Sequence, residues 1–265
     1  MIKMVATDID GTIYNWGVGV SDNVKKCIKK MQEQGVKVVL VTGRMHSAAK
    51  LLATELGLNT PVVSYQGGLI KENCENGIEF YKKTLDPISA KKILSWARQK
   101  KVHTNLYIND VLIVEEENDI VQKYAEVQNI TYQVKNFDEL KIEDVNKILI
   151  VDYSDAEVVT EYKEFLEKEH EHLYIVKSSP YYCEISHNEA RKSCAVEHLC
   201  KIWDIKKEEV LTIGDQNNDI ELLKAGGVAV AMGNATDELK TYANHITDSV
   251  ENDGFVKAME KFVLI

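Results

Sequence analysis

Basic charge is what this chain is short of: 32 lysines and arginines face 42 aspartates and glutamates in 265 residues, a formal net charge of −10. No compensating basic stripe runs along it, which argues against a nucleic-acid partner. Much of the acidity falls on helix faces, as at Glu161, Glu164, Glu167 and Glu169, the pattern of a solvated surface. No apolar stretch approaches the length of a membrane span. No leader precedes the first core strand, so a cytoplasmic protein without a membrane partner is expected. The five cysteines, Cys27, Cys74, Cys183, Cys194 and Cys200, are odd in number and lack metal-ligand spacing. They read as free thiols of a cytosolic protein. Internal repeats and low-complexity tracts are also missing. What is present is a hydrophobic content of 45%, enough for a sizeable core in one large domain or two ordinary ones.

The first eighty residues alternate between strand and helix. Residues 2–7 read as a strand, 21–34 as a helix capped by Ser21, and 36–41 as a second strand; 44–56 follow as a helix ended by Gly57, and 61–65 as a third strand. That alternation predicts a doubly wound parallel sheet, an α/β Rossmann-like core. After a short hairpin over 69–81 the pattern changes. A helix over 89–101 precedes a hairpin of 102–108 with 111–115 around Asn109-Asp110. A helix over 119–128, a strand over 147–152, a helix over 156–170 and a hairpin of 173–177 with 182–186, turning at Pro180, complete an α+β unit with an antiparallel sheet. Alternation resumes from Asn188 with a helix to Trp203, a strand over 210–213, a helix over 220–225 and a strand over 228–231. Residues 1–82 and 187–265 are therefore expected to form the core, with 83–186 inserted as a second unit.

Four places in the core carry groups suited to chemistry. Asp8-Ile9-Asp10-Gly11-Thr12 directly follows the first strand, and parallel sheets gather ligands at their carboxyl ends. Alternation along an extended backbone aims Asp8 and Asp10 to one side, and two such charges call for a cation or a shared proton. Thr42-Gly43-Arg44 ends the second strand and opens a helix, an arrangement that suits a phosphate. Lys192 stands near the start of the helix that re-enters the core, where a cation hints at a local anion. Gly214-Asp215-Gln216-Asn217-Asn218-Asp219 follows the strand over 210–213. Singly, these also read as an acidic turn, a Thr N-cap, a solvated lysine and a hydrated turn. Together, Asp8, Asp10 and Asp215 supply hard oxygen ligands in a number that suits Mg²⁺, which shares substrate phosphate oxygens.

In that order the four motifs resemble those of the haloacid dehalogenase superfamily. Val230-Ala231-Met232-Gly233-Asn234-Ala235 and Asn252-Asp253-Gly254 are similar to its Cof-type sugar-phosphatase branch, whose large α/β cap matches the inserted unit. The resemblance covers essentially the whole chain. It implies an Mg²⁺-dependent phosphatase of small phosphorylated metabolites, sugar phosphates or related monoesters, with Asp8 as nucleophile and an aspartyl-phosphate intermediate. Asp10 would act as general acid and then base. The metal would be held by Asp8, the Asp10 backbone carbonyl and Asp215, with Asp219 either binding it through water or orienting Lys192. Ile9 (through its backbone N–H), Thr42, Gly43, Lys192 and Asn218 would cradle the phosphoryl oxygens.

Two departures stand out. The family usually has Asn-Gly-Ala where this chain has Gln66-Gly67-Gly68, and Ser-Lys-Gly where it has Arg191-Lys192-Ser193. Arg191 thereby adds a cation near the site. The cap is expected to choose the substrate, with Tyr107, Asn109, Tyr181, Tyr182 and above all Glu184 as the groups facing the cleft. Gly17 and Gly19 read as flexible joints for cap closure. Two other functions are open: a phosphomutase, which uses the same nucleophile but shields the intermediate from water, and a non-catalytic ligand-binding module on an inherited fold.

Overall fold

The computed structural model describes residues 1–264. Strand β1 (Met4–Thr7) is buried throughout and leads to helix α1 (Asp22–Glu33), whose N-cap Ser21 accepts the Val24 N–H at 3.2 Å. Strand β2 (Lys37–Leu40) and helix α2 (His46–Glu55) follow. The helix begins two residues later than expected, because Met45 is still extended at φ −65°, ψ 155°. Strand β3 (Val62–Ser64) is the third expected strand, but it meets the parallel sheet only through a Val41–Val63 bridge. Tyr65 and Gln66, both at positive φ, turn the chain straight back. β3 therefore pairs antiparallel with β4 (Leu69–Lys71), and β4 with β5 (Glu79–Lys82).

The middle of the chain builds a second sheet. Helix α3 (Pro87–Lys100), with Asp86 as N-cap, precedes β6 (His103–Ile108) and β7 (Val111–Val114). Asn109 and Asp110 both take positive φ in the turn between them, as a tight hairpin requires. Helix α4 (Asp119–Gln128), strands β8 (Tyr132–Val134) and β9 (Val145–Val151), helix α5 (Ala156–Glu169) and strands β10 (Leu173–Ser179) and β11 (Tyr182–His187) complete it. The order is β10-β11-β9-β6-β7-β8. All pairs are antiparallel except β7 with β8, and β8 is a strand that the hydrophobic pattern does not announce. Ile148 and Ile150 of β9 and Cys183 and Ile185 of β11 pack under α3 and α5. Residues on the opposite face, Lys147 and Leu149 on β9 and Tyr182 and Glu184 on β11, are left to line a cleft, as the two-residue period of a strand dictates.

Helix α6 (Lys192–Trp203), β12 (Val210–Gly214), α7 (Ile220–Ala225) and β13 (Val228–Ala231) match the expected return. Beyond them lie three elements outside the expected set: α8 (Asp237–Lys240), β14 (His245–Ile246) and α9 (Gly254–Phe262). The resulting sheet is all parallel, in the order β14-β13-β12-β1-β2. Val5, Val38 and Ile213 pack on one face with residues of α1, α2 and α9, whereas Met4, Ala6 and Val39 pack on the other with α6 and α7. The core is thus doubly wound, with helices on both faces. From β1 the chain moves first to β2 and returns later to β12 on the other side, so the strand order switches at β1. Ligand crevices form outside the carboxyl ends of strands at such a point.

Candidate active site

Asp8 leaves β1 at this switch point with its N–H donating to the Ile213 carbonyl of β12 at 3.0 Å. Lys192, the first residue of α6, is fully buried, and its Nζ lies 2.6 Å from Asp8 Oδ1 and 2.6 Å from Asp219 Oδ1. The other oxygen of Asp219 accepts the backbone N–H groups of Asp215 and Gln216 at 3.0 and 3.1 Å. Asp219 is thereby occupied on both oxygens, holding the lysine on one side and the acidic loop on the other. Asp215 completes the group, accepting from the Thr12 hydroxyl at 3.2 Å and from the Gln216 amide at 3.1 Å.

One oxygen from each of Asp8, Asp215 and Asp219 lies within 4.8 Å of the others. Burial, then the Asp219 charge, pushes the Asp8 carboxyl well above the ordinary carboxylate range, against the pull of Lys192. Burial and Asp219 likewise push Asp215 up to about 7. Burial opposes the charge on Lys192, but Asp219 and Asp8 outweigh it and hold the ammonium charged. Three buried carboxylates share one buried ammonium, so the cluster is short of positive charge when they ionise. All the donors are hard oxygens, so the donor set fits a divalent cation such as Mg²⁺.

The Asp10 carboxylate is not part of this cluster. Arg44 grips both of its oxygens, at 2.8 Å from Nε and 2.5 Å from Nη2, and packs over the rings of Tyr14 and Trp16. The Ile9 carbonyl accepts N–H groups from Thr12, Ile13 and Tyr14, while its side chain sits in the core. That tight turn depends on Gly11, at φ +77°, where a Cβ would fall 2.2 Å from Asp215 Oδ2. Gly11→Ala should cost about 1–3 kcal/mol in backbone strain alone and displace Asp215. A lower melting temperature together with weaker Mg²⁺ stabilisation is expected, and an unchanged Mg²⁺ titration would show that Asp215 had not moved.

Thr42 is buried, and its hydroxyl accepts the Arg44 N–H at 3.2 Å. At Gly43 a Cβ would meet the Gln66 amide nitrogen at 2.4 Å. Gln66 donates to Glu184 Oε1 at 3.1 Å and accepts from Asn218 at 3.2 Å. Lys147 donates to Glu184 Oε2 at 2.7 Å and to the Gly43 carbonyl at 2.8 Å. The helix after this loop is capped from afar: the N–H groups of His46 and Ser47 donate to Asp110 in the β6–β7 turn at 2.8 and 2.9 Å, since Met45 offers no capping side chain.

These groups surround a cleft of about 440 Å³ between the parallel sheet and the second sheet. Asp8, Asp10, Thr42, Gly43, Asp215 and Asn218 line its floor. Tyr181, Tyr182 and Glu184 line its opposite wall, joined by Tyr124, Tyr153 and Lys147. Tyr107 does not face it: buried, it donates to the Tyr124 hydroxyl at 2.8 Å. Asn109 is turned outward to Lys82. Arg191 adds no cation to the cleft, because its guanidinium bonds Asn188 and lies over the Tyr174 ring. Ser193 likewise donates to Glu221. Gly17 and Gly19 both take positive φ and flank Val18 in a small turn next to Trp16.

Sequence reasoning gives no site role to Lys147, nor to Asp110, Thr12 and Asn234, although Asp110 stands in the expected hairpin turn and the other two in the motifs. Asn234 donates to the Gly11 carbonyl at 2.9 Å. Lys147 alone carried a signal, a charge inside a strand otherwise apolar apart from Asn146.

Comparison with known proteins agrees with this geometry. The profile of the haloacid dehalogenase-like hydrolases matches residues 5–259. A Bacillus subtilis 5-amino-6-(5-phospho-D-ribitylamino)uracil phosphatase is 31% identical over 99% of this chain and 96% of its own. A second B. subtilis phosphatase is 28% identical over 98% and 99%. A haloacid dehalogenase-like hydrolase from Bacteroides thetaiotaomicron superposes with a TM-score of 0.86 at 28% identity, covering 98% of this chain and 99% of that one. The chain belongs to the haloacid dehalogenase-like hydrolase family and is an enzyme of its phosphatase class.

Proposed function

We propose that the enzyme hydrolyses small phosphorylated metabolites, sugar phosphates or related monoesters, through an aspartyl-phosphate on Asp8. The observation that carries this reading is Lys192, fully buried and shared between Asp219 and Asp8 at 2.6 Å each, with Asp8 itself on the floor of the cleft. A lysine held there neutralises one nucleophilic carboxylate and one phosphoryl oxygen in turn. Asp8 and Asp215, with the Asp10 backbone carbonyl, would hold Mg²⁺, while Asp219 is assigned to positioning Lys192. The bound ion would offset charge between the nucleophile and the phosphate.

In the first half-reaction an Asp8 oxygen bonds to phosphorus as the ester P–O bond breaks, and Asp10 gives its proton to the departing alkoxide. In the second, Asp10 takes a proton from water as that water bonds to phosphorus and the Asp8–phosphorus link breaks, releasing phosphate. For these steps one Asp10 oxygen is released by Arg44, which otherwise bonds both, and carries the proton that the alkoxide takes and water restores. Thr42, the backbone of Ile9 and Gly43, Asn218 and Lys192 are assigned to the phosphoryl oxygens. In this reading residues 1–82 and 187–265 are the catalytic core, and 83–186 form the substrate-selecting cap. Tyr182 and its neighbouring tyrosines would cover the leaving group. The flat ring and ribityl phosphate named for the B. subtilis relative fit such a wall and belong in a substrate panel. Five free cysteines accord with a cytoplasmic setting.

The test is release of free phosphate from a monoester panel, including p-nitrophenyl phosphate and sugar phosphates, with Mg²⁺ or with EDTA. Turnover with Mg²⁺ and none with EDTA is expected. Mg²⁺ at about 100 times its Kd should also stabilise the fold by about 2.7 kcal/mol, read as a rise in melting temperature. No hydrolysis across the panel would reject the phosphatase reading, and phosphate moved between hydroxyls without release would favour a mutase.

A further inference from the structure

Lys147 has no part in that mechanism, yet it is the most constrained cation on the cap side of the cleft. It is 2% exposed and sits in β9, whose seven residues are all buried. Burying an ion pair in such a place gives little stability over an apolar pair, so packing alone is a weak reason for it. Its surroundings come from four separate segments. Glu184 Oε2 and the Gly43 carbonyl accept from Nζ at 2.7 and 2.8 Å, Glu184 Oε1 is held by Gln66, and Gln66 is held by Asn218. Gln66 makes this linkage at the position where the resembled pattern has the shorter Asn. Gly43 leaves the room for it, since a Cβ there would fall 2.4 Å from Gln66 and 3.2 Å from Glu184. Glu184, the cap group singled out by sequence, thus has a partner on each oxygen and presents Lys147 to the cleft.

An ammonium has three N–H donors, and these partners take two. Nζ also packs over the Tyr107 ring, 5.1 Å from its centre, yet Lys147 lines the cleft, and because it bonds the carbonyl of Gly43 its ammonium lies beside whatever extends from a phosphate bound there. We propose that Lys147 is a specificity-determining residue, reading a hydroxyl or other oxygen on the leaving group close to the ester. Glu184 and Gln66 are the positioning residues that aim it. The inference rests on the phosphatase reading for the place of the phosphate, and it assigns the enzyme to polyhydroxy leaving groups over bare aryl ones.

Lys147→Met alone strands the buried Glu184 charge, so the decisive variant is Lys147→Met with Glu184→Gln, checked for an intact fold by circular dichroism. Its kcat/KM for ribitol 5-phosphate and glucose 6-phosphate should fall about 30-fold, in the range of a charge-assisted hydrogen bond. The loss should lie mainly in KM, with a several-fold smaller loss on p-nitrophenyl phosphate. Equal losses on all three esters would make Lys147 a seat for the second sheet and overturn the proposal. A calorimetric titration of ribitol 5-phosphate into the Asp8→Asn protein, with and without the two changes, keeps the questions apart. At least a tenfold loss of affinity is expected, and an unchanged affinity overturns the role of Lys147. Failure of the unaltered enzyme to hydrolyse any ester counts instead against the phosphatase reading.

Discussion

Asp8→Asn is expected to lower turnover by about four orders of magnitude or more, the scale seen when a covalent nucleophile is removed, while the melting temperature stays within a few degrees. The two halves of this expectation have different sources. In the proposed mechanism turnover fails because an amide cannot form the bond to phosphorus assigned to the carboxylate. The fold survives because Asn is nearly isosteric and its carbonyl oxygen can still accept from Lys192. Burial and the neighbouring Asp219 disfavour the ionised form of Asp8 in the folded protein, so its charge adds no stability at neutral pH for the amide to lose. Steady-state kinetics and a thermal melt on the same preparation check both halves. Turnover within tenfold of the unaltered enzyme would take the nucleophile's role away from Asp8.

Lys192→Met should damage both properties at once. The substitution keeps the length of the chain but leaves Asp8 and Asp219 buried against each other with no ammonium between them. Breaking a buried pair from one side costs about 3–5 kcal/mol, which for a chain of this size lowers the melting temperature by roughly 5–10 °C. Activity should fall with it, since the proposed mechanism assigns this buried cation to the phosphoryl oxygens. Mg²⁺ should restore part of the stability, because the cluster is then short of positive charge by one more unit. A Lys192→Met protein that melts like the parent, with or without Mg²⁺, would show that the carboxylates are not crowded as described. The contrast with Asp8→Asn is informative: the two residues share one hydrogen bond, yet removing one leaves the fold nearly unchanged and removing the other destabilises it.

The floor of the site was legible because each of its groups sits in a short motif at the end of a strand or the start of a helix. Asp8 follows β1, Thr42 follows β2, Asp215 follows β12 and Lys192 opens α6. Strands with buried residues on both faces and helices with a clear apolar stripe announce themselves, and sheet topology then gathers the loops at their ends. The wall was less legible because its contacts depend on tertiary placement. Asp110 reads as half of a hairpin turn, and nothing local shows that it caps a helix some sixty residues earlier in the chain. Lys147 reads as a stray charge in a strand until Glu184 and Gly43 arrive on either side of it. Tyr107 and Tyr182 are indistinguishable by residue type. Both stand on the same face of the second sheet, opposite Lys147 and Val151 of β9, and only tertiary cover separates them: Tyr107 is sealed by Tyr65 and Tyr124, whereas Tyr182 reaches the cleft. Strand β8 and helices α8 and α9 escaped for a simpler reason, being short or beyond the last strong alternation of the chain. Arg191 illustrates the limit of reading departures from a family pattern: its charge is real and its direction is outward.

The central strand of the parallel sheet carries a consequence for how the chain is made. β1 is complete by residue 7, but one of its two neighbours, β12, lies at Val210–Gly214. A ribosome-bound chain therefore carries β1 with one edge open while about two hundred further residues are synthesised. The second sheet, whose strands all lie between residues 103 and 187, involves shorter loop closures and is the part suited to collapse first. Late pairing of this kind slows folding and leaves an adhesive edge exposed meanwhile. The strand that leads to Asp8 is translated about two hundred residues before the partner that seals its second edge.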